Sequence, residues 1–220
     1  GLSPHSPPAA PLGIAAAAAL HDWLAANGID RATVVGTSFG GLAAIRLAQR
    51  APDRVERLLL LDSAGLGAGI HPLIRLAVVP GVTRAGVAPT RAGTAWLFRT
   101  LLTAGQGSMN PADASALIEY LLASARAAGT PYMASTLRLF ASIRGQREVV
   151  RDEELRALPQ VVAVMWGGRD RLLPVGHAWR VAGLRGVEPA ILEGIGHSPN
   201  WERPAAVVAA VDDLIGSAPT

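Results

Sequence analysis

Three short segments rich in apolar and β-branched residues, separated by helical patterns, restrict the fold of this chain more than any other feature. The segments span residues 31–35, 58–61 and 161–166, and a weaker one spans 187–192. Strands that are apolar throughout are buried on both faces, which is typical of a parallel sheet covered by helices on each side. The sequence therefore predicts an α/β fold built on a parallel sheet.

The segments between these strands carry the signals that begin and end helices. The predicted helices cover residues 12–27, 40–49, 175–182 and 204–215. Gly28 stands directly after the first of them, and Pro204 occupies the first turn of the last. Glycine is favoured just past a helix end and proline just inside a helix start, so both positions support these bounds.

Residues 64–158 differ from both flanks because they show helical patterns only. Asn110 and Thr130 each precede a proline and are suited to begin helices, which Gly129 and Gly145 would end. The predicted organisation is therefore a core made of residues 1–63 and 159–220, with a helical cap inserted at 64–158.

Five of the ten aromatic residues of the chain lie in this insertion. Four of them are candidates to line a substrate pocket beneath the cap: Trp96, Phe98, Tyr132 and Phe140. The alternative is that they pack the core of the insertion itself, as large apolar side chains usually do.

Composition removes several classes of site. The chain has no cysteine and no lysine, so all 20 basic residues are arginine. Disulfides, cysteine–zinc sites and thiol nucleophiles are excluded, as are the P-loop and Schiff-base lysines. The arginines are scattered and the net charge is only +3, so no nucleic-acid partner is expected. No apolar run approaches the 18 or so residues that span a bilayer, and no segment resembles a secretory signal, so we expect a cytoplasmic protein without a membrane span.

The segment Gly36-Thr37-Ser38-Phe39-Gly40 matches the pattern G-x-S-x-G and lies between a predicted strand and a predicted helix. A nucleophilic serine on a sharp strand-to-helix turn needs this context, with small residues two positions away on either side. Its hydroxyl would stand at a helix N-terminus, where developing negative charge is favoured. A phosphate-binding turn is the competing interpretation, although a dinucleotide fingerprint has glycine where Ser38 stands.

A nucleophilic serine requires a base, and His197 is the candidate among five histidines. It lies in the loop Gly194–Pro199, directly after the fourth predicted strand, and such loops form sites at the carboxyl edge of a parallel sheet. The other four lie in the opening segment, in a helix, at the start of the insertion and at a helix start, and are interpreted as ordinary polar residues: His5, His21, His71 and His177.

The base in turn requires an orienting acid. Asp170 follows the third predicted strand and is preferred, while Asp62 follows the second and is the alternative. The order Ser38, Asp170, His197 is that of an α/β-hydrolase triad. No metal site is predicted, because the acidic cluster at 152–154 has no histidine at ligand spacing and suits a solvated helix start.

On these motifs the sequence resembles the α/β-hydrolase family. The matching segments are the serine turn through Gly41, Ala51–Val55 before a leucine-rich strand, 166–170 with Pro174, and Gly196-His197 followed by Glu202-Arg203-Pro204. The resemblance implies a catalytic triad of Ser38, Asp170 and His197, with the backbone N–H of Phe39 as an oxyanion donor. It is weakest over 64–158, where members of the family carry a helical cap.

One departure from the family concerns its early strands. Members have about eight strands, whereas only the C-terminal four are found here, and the segment 1–3 resembles the end of the loop after the fourth strand. The loop that supplies the second oxyanion donor is missing with them. We therefore expect a C-terminal part of a longer hydrolase, weakly active alone and with the strand at 32–36 as an exposed edge.

The resemblance implies a serine hydrolase that cleaves a small to medium apolar ester through an acyl-enzyme, without a cofactor. Two alternatives remain open. The first is hydrolysis of a carbon–carbon bond in a diketone-like substrate with the same triad. The second is a non-catalytic binding module on the same fold. The sequence indicates a small-molecule ligand but gives neither its identity nor the oligomeric state.

Overall fold

The computed structural model describes residues 11–79, 81–82, 89–105 and 107–216. The strands are β1 (Ala32–Thr37), β2 (Val55–Leu61), β3 (Ala141–Ser142), β4 (Gly145–Gln146), β5 (Val161–Gly167) and β6 (Ala190–Leu192). The helices are α1 (Leu12–Ala26), α2 (Phe39–Arg50), α3 (Pro72–Ala77), α4 (Arg91–Leu97), α5 (Pro111–Ala128), α6 (Thr130–Phe140), α7 (Asp152–Arg156), α8 (Gly176–Arg185), α9 (Pro199–Glu202) and α10 (Pro204–Gly216).

A four-stranded parallel sheet in the order β1-β2-β5-β6 forms the centre of the fold. In register, Val34 lies beside Leu58, and Leu58 lies beside Val162. The predicted parallel α/β architecture is therefore confirmed. Because all four strands run the same way, the loops that follow them meet at one edge of the sheet, and the predicted site residues come from those loops.

The strands and helices differ from their predicted bounds mainly at the ends. The fourth strand begins at Ala190 instead of residue 187. Proline has no N–H to donate to a neighbouring strand, so pairing with β5 begins only after Pro189. The short helix α9, between the histidine loop and α10, was not predicted.

The expectation that 64–158 is helical throughout is wrong, because β3 and β4 pair as an antiparallel hairpin. Gly145 does not end a helix either. The preceding helix α6 ends at Phe140, and Gly145 lies in the hairpin with a φ of +131°. A Cβ there would stand 2.0 Å from the carbonyl oxygen of Ala68, so glycine is needed for the close approach of two backbones.

The main core lies between the sheet and its helices and includes Ile45, Leu60 and Trp166. Both ends of the 64–158 segment pack into it, through Leu66 and Leu155. The middle of that segment has a separate small cluster of buried side chains: Ala95, Phe98, Leu117 and Ile118. Helices α4 and α5 are therefore held to each other by their own apolar contacts.

Strand β1 forms one edge of the sheet, as expected, and Val35 on it is 42% exposed. Among the residues that the structure describes, no helix combines the length and the apolar character needed to cross a bilayer.

Candidate active site

Ser38 lies on the turn between β1 and α2, in a strained backbone conformation with φ +52° and ψ −122°. Positive φ is rare for a residue with a side chain, and such strain persists only where neighbours hold it. Here the Ser38 N–H donates to Leu61 O at 2.9 Å, and the Ser38 carbonyl accepts from Gly41 and Ala64 at 3.0 and 2.9 Å. The turn is therefore fixed to the end of the neighbouring strand β2.

The glycines of the turn do not have equal roles. A Cβ on Gly36 would stand 2.6 Å from Gly40 O, and one on Gly41 would stand 2.1 Å from Ser63 Oγ. A Cβ on Gly40 would meet nothing within 4 Å. The expectation that both flanking glycines prevent a clash is correct for Gly36 and wrong for Gly40, because Gly40 faces outward at the start of α2.

The structure brings Ser38, His197 and Asp170 into one hydrogen-bonded chain. His197 Nε2 lies 2.9 Å from Ser38 Oγ, and His197 Nδ1 lies 2.8 Å from Asp170 Oδ2. The imidazole is 4% exposed and the Asp170 side chain is fully buried. Because Asp170 accepts the proton on Nδ1, Nε2 carries a lone pair and can accept the proton of the serine hydroxyl.

Asp170 is held firmly by the loop after β5. Its Oδ1 accepts the backbone N–H groups of Leu172 and Leu173 at 2.7 and 2.9 Å. Three N–H donors therefore surround this carboxyl group when His197 is included. Bonds of this kind favour the charged form of a carboxyl group, so the arrangement suits an anion that orients an imidazole.

Asp62, the alternative acid, is also at the site but is not the partner of His197. It is completely buried at the end of β2, and its Oδ1 accepts the N–H of Gly167 at 2.9 Å. Burial is the main cause that raises the pKa of Asp62 to about 9, and the negative charge of Asp170 adds to it. The contact of His197 with Asp170 agrees with the preference for Asp170 in the sequence analysis, and both candidates follow buried strands that end at the same edge.

The backbone N–H of Phe39, the predicted oxyanion donor, belongs to the first residue of α2. The first N–H groups of a helix have no acceptor within the helix, so this group can bind a developing negative charge beside Ser38.

The four aromatic residues predicted to contact a substrate lie in different environments. Phe140 packs edge to face against Phe39, with ring centroids 6.1 Å apart, and so reaches the serine turn. Tyr132 is partly buried, whereas Trp96 is 54% exposed. Phe98 is 2% exposed and lies in the small apolar cluster between α4 and α5, so its position supports the alternative of core packing.

Glu202 is a buried residue of the site to which sequence reasoning gave no role. Its Oε1 accepts the N–H groups of Gly196 at 3.0 Å and Ser198 at 3.4 Å, which flank His197. Its Oε2 accepts the N–H of Ala104, in the segment 64–158, at 2.7 Å. One carboxylate therefore connects the histidine loop to that segment, and in the sequence only its place five residues after His197 indicated this.

Among the described residues, one cluster offers metal-ligating atoms within 4.8 Å of one another, and it consists of Asp62, Asp170 and His197. Both nitrogens of His197 already have partners, as do both oxygens of Asp170.

The remaining histidines lie elsewhere, and His5 is outside the described residues. His21 contacts the neighbouring Asp22 on the surface, and the ring of His71 accepts the N–H of Leu73 at the start of α3. His177 packs edge to face on Trp166 in the core. The interpretation as ordinary polar residues agrees with the surroundings of His21 and His71, whereas His177 is buried instead of lying on the surface.

Comparison with known proteins agrees with the fold described above. A sequence model described as the alpha/beta hydrolase family matches residues 1–211. An uncharacterized protein of Mycobacterium tuberculosis is 30% identical over 203 residues, which are 88% of this chain and 58% of that protein. The 2-hydroxymuconate semialdehyde hydrolase of Pseudomonas putida is 30% identical over 182 residues, which are 81% of this chain and 59% of that enzyme. The chain thus spans a little over half the length of these relatives.

Solved structures show the same fold at lower sequence identity. The 2-hydroxy-6-oxo-6-phenylhexa-2,4-dienoate hydrolase of Rhodococcus sp. strain RHA1 has a TM-score of 0.79 at 19% identity, covering 99% of this chain and 76% of that one. A carboxylesterase of Bacillus subtilis has a TM-score of 0.69 at 22% identity, covering 96% and 69%. With a family model that matches nearly its whole length, the chain belongs to the alpha/beta hydrolase family.

Proposed function

We propose that the protein is a serine hydrolase that cleaves small to medium apolar esters through Ser38, His197 and Asp170. The observation that carries this proposal is the chain of contacts at 2.9 and 2.8 Å from Ser38 Oγ through the imidazole to Asp170. The geometry meets the distance requirement for a nucleophile and its base, and the base is oriented by a third group.

In the proposed mechanism, Nε2 of His197 takes the hydroxyl proton as Ser38 Oγ bonds to the ester carbonyl carbon. The carbonyl oxygen becomes negative and accepts the N–H of Phe39, and one such donor contributes about 3 kcal/mol to the transition state. The imidazolium then protonates the departing alcohol, which leaves an acyl-serine. Water attacks this acyl group with the imidazole again as base, and releases the acid and the free serine.

The segment 64–158 acts as a cap over this centre in the same proposal. Two contacts of its described residues support this role. Phe140 lies edge to face on Phe39, and a Cβ on Gly196 would stand 2.2 Å from the backbone of Thr103. The cap therefore touches both the serine turn and the histidine loop, where it is suited to exclude water and contact an apolar acyl group.

The test is hydrolysis by the purified protein of a series of p-nitrophenyl esters that includes the butyrate. Ser38→Ala is expected to abolish hydrolysis above background. Ser124→Ala is the matched control, because the buried Oγ of Ser124 has no hydrogen-bond partner among the described residues. Loss of activity in both variants, or activity that survives Ser38→Ala, would contradict the proposal.

Hydrolysis of a carbon–carbon bond is the second candidate, and similarity favours it specifically. Relatives named for a semialdehyde and for a phenyl-substituted oxo-dienoate match in sequence and in structure. The name of the latter compound describes a ketone conjugated to an enol, which is a diketone-like substrate. Comparing kcat/KM for such a compound with that for the aryl ester decides between the two reactions, and turnover of neither by a folded protein favours a binding module.

A further inference from the structure

A second carboxyl group at the site has no part in the mechanism above. Asp62 has no exposed surface, and its φ of +42° is unusual for a residue with a side chain. Its Oδ1 is bonded to the N–H of Gly167, but its Oδ2 receives no N–H or O–H donor from the described residues although it is buried. A buried oxygen without a donor is energetically costly, so a hydrogen-bond partner for Oδ2 is expected close by.

The group that Oδ2 can bond to is another carboxyl group. One oxygen of Asp62, one oxygen of Asp170 and a ring nitrogen of His197 lie within 4.8 Å of one another, and both carboxyl groups are buried. Two ionised carboxylates offer acceptors only, so a bond between them requires a proton on one of them. A single proton on the pair would supply that bond and remove the repulsion between two buried negative charges.

The surroundings decide which carboxyl group holds that proton. Asp170 accepts three N–H donors, including His197 Nδ1, whereas Asp62 accepts one. Donors favour the charged form, so Asp170 is the anion. Burial and the negative charges of Asp170 and Glu202 raise the pKa of Asp62 to about 9, which keeps its proton in place at neutral pH.

We propose that Asp62 is a neutral carboxylic acid that donates its proton to Asp170 and holds that carboxylate in position for His197. Asp62 is thus a positioning residue, and its role in catalysis rests on the proposed function of the triad. The chain of hydrogen bonds becomes Ser38, His197, Asp170, Asp62, with only Asp170 charged. At alkaline pH, ionised Asp62 would face Asp170 and Glu202 as a third negative group, and repulsion would displace Asp170 from the imidazole.

Two substitutions of Asp62 test whether its side chain acts as a hydrogen-bond donor or only fills space. Asp62→Asn keeps the shape, its oxygen can accept from Gly167, and its amide N–H can donate to Asp170 at every pH. Asp62→Leu keeps a similar volume and removes the donor. If Asp170 is held by the donor, phosphonylation of Ser38 by a fluorophosphonate stays within about threefold in the Asn variant at pH 7 and falls about tenfold or more in the Leu variant.

The pH profile gives a readout that a purely structural role would not change. In the native protein the phosphonylation rate falls on the alkaline side as Asp62 ionises, and this fall is absent in Asp62→Asn. Infrared spectra supply a readout independent of reactivity. At pH 7 the carbonyl band of a protonated carboxylic acid is present in the native protein, and it is lost both in Asp62→Asn and at high pH.

The outcomes distinguish this proposal from the proposed function. A carboxylic-acid band that depends on Asp62, in a protein without hydrolase activity, supports the proton at Asp62 and contradicts the function. Hydrolysis with no such band, or an alkaline fall unchanged in Asp62→Asn, overturns the role of Asp62 and leaves the triad intact. If Asp62→Leu does not fold, the band and the Asn profile decide the question by themselves.

Discussion

Replacing Glu202 with alanine removes the acceptor shared by the histidine loop and the segment 64–158. The N–H groups of Ala104 and Gly196, which bond to it at 2.7 and 3.0 Å, would lose their partner inside the protein, and the 3.4 Å contact with Ser198 adds little. A buried donor left without an acceptor costs about 1–3 kcal/mol, so two such groups give roughly 2–6 kcal/mol. Relief of a buried charge offsets part of this, and a net loss of about 2–4 kcal/mol is expected.

Urea unfolding followed by tryptophan fluorescence measures this loss. Glu193→Ala is the matched control, because Glu193 lies exposed just after β6 and its removal changes the net charge equally. We expect the control to change the free energy of unfolding by less than about 0.5 kcal/mol. An equal, small effect in both variants would show that Glu202 does not hold the two segments together.

Two other perturbations follow from the same geometry. Gly36→Ala is expected to destabilise the protein by about 1–3 kcal/mol, because the new Cβ would stand 2.6 Å from Gly40 O. Gly40→Ala adds a methyl group in open space on a helix, so it should be neutral or stabilising by about 0.5–1 kcal/mol. Equal urea midpoints for the two variants would contradict this expectation. Burial, with the Arg180 charge, lowers the pKa of His177 below 6.5. Between pH 7 and 5 the unfolded chain therefore binds a proton at His177 more readily than the folded protein does, so the stability of the folded protein falls as the pH drops below 6.5. His177→Phe should reduce the difference between the urea midpoints at pH 7 and pH 5. An unchanged difference would refute this role of His177.

The features that follow from local pattern were predictable from the sequence. The leucine-rich run at 58–61 and the apolar run at 161–166 are long and unbroken, so their burial in a parallel sheet could be inferred without a structure. Ser38 was predictable because its turn requires a small residue at position 36 between a strand and a helix. The asparagine at 110 was also recognisable, and its side chain accepts the N–H of Ala112 at 2.8 Å.

The features that were missed depend on contacts between distant segments. The hairpin of β3 and β4 has two residues in each strand, which is too short for any periodic pattern. Gly145 looks like a helix-ending glycine, and only the approach of Ala68 reveals its role. The bond from Glu202 to Ala104 joins residues 98 positions apart.

Mass-spectrometric mapping of the fluorophosphonate adduct tests the reactivity of Ser38 most directly. The contacts at 2.9 and 2.8 Å predict a single adduct on the peptide that contains Ser38. Its rate of formation should fall by about 100-fold or more in His197→Ala, since a general base contributes that much. A folded protein that forms no adduct at Ser38, or forms it equally fast without the imidazole, would contradict the triad.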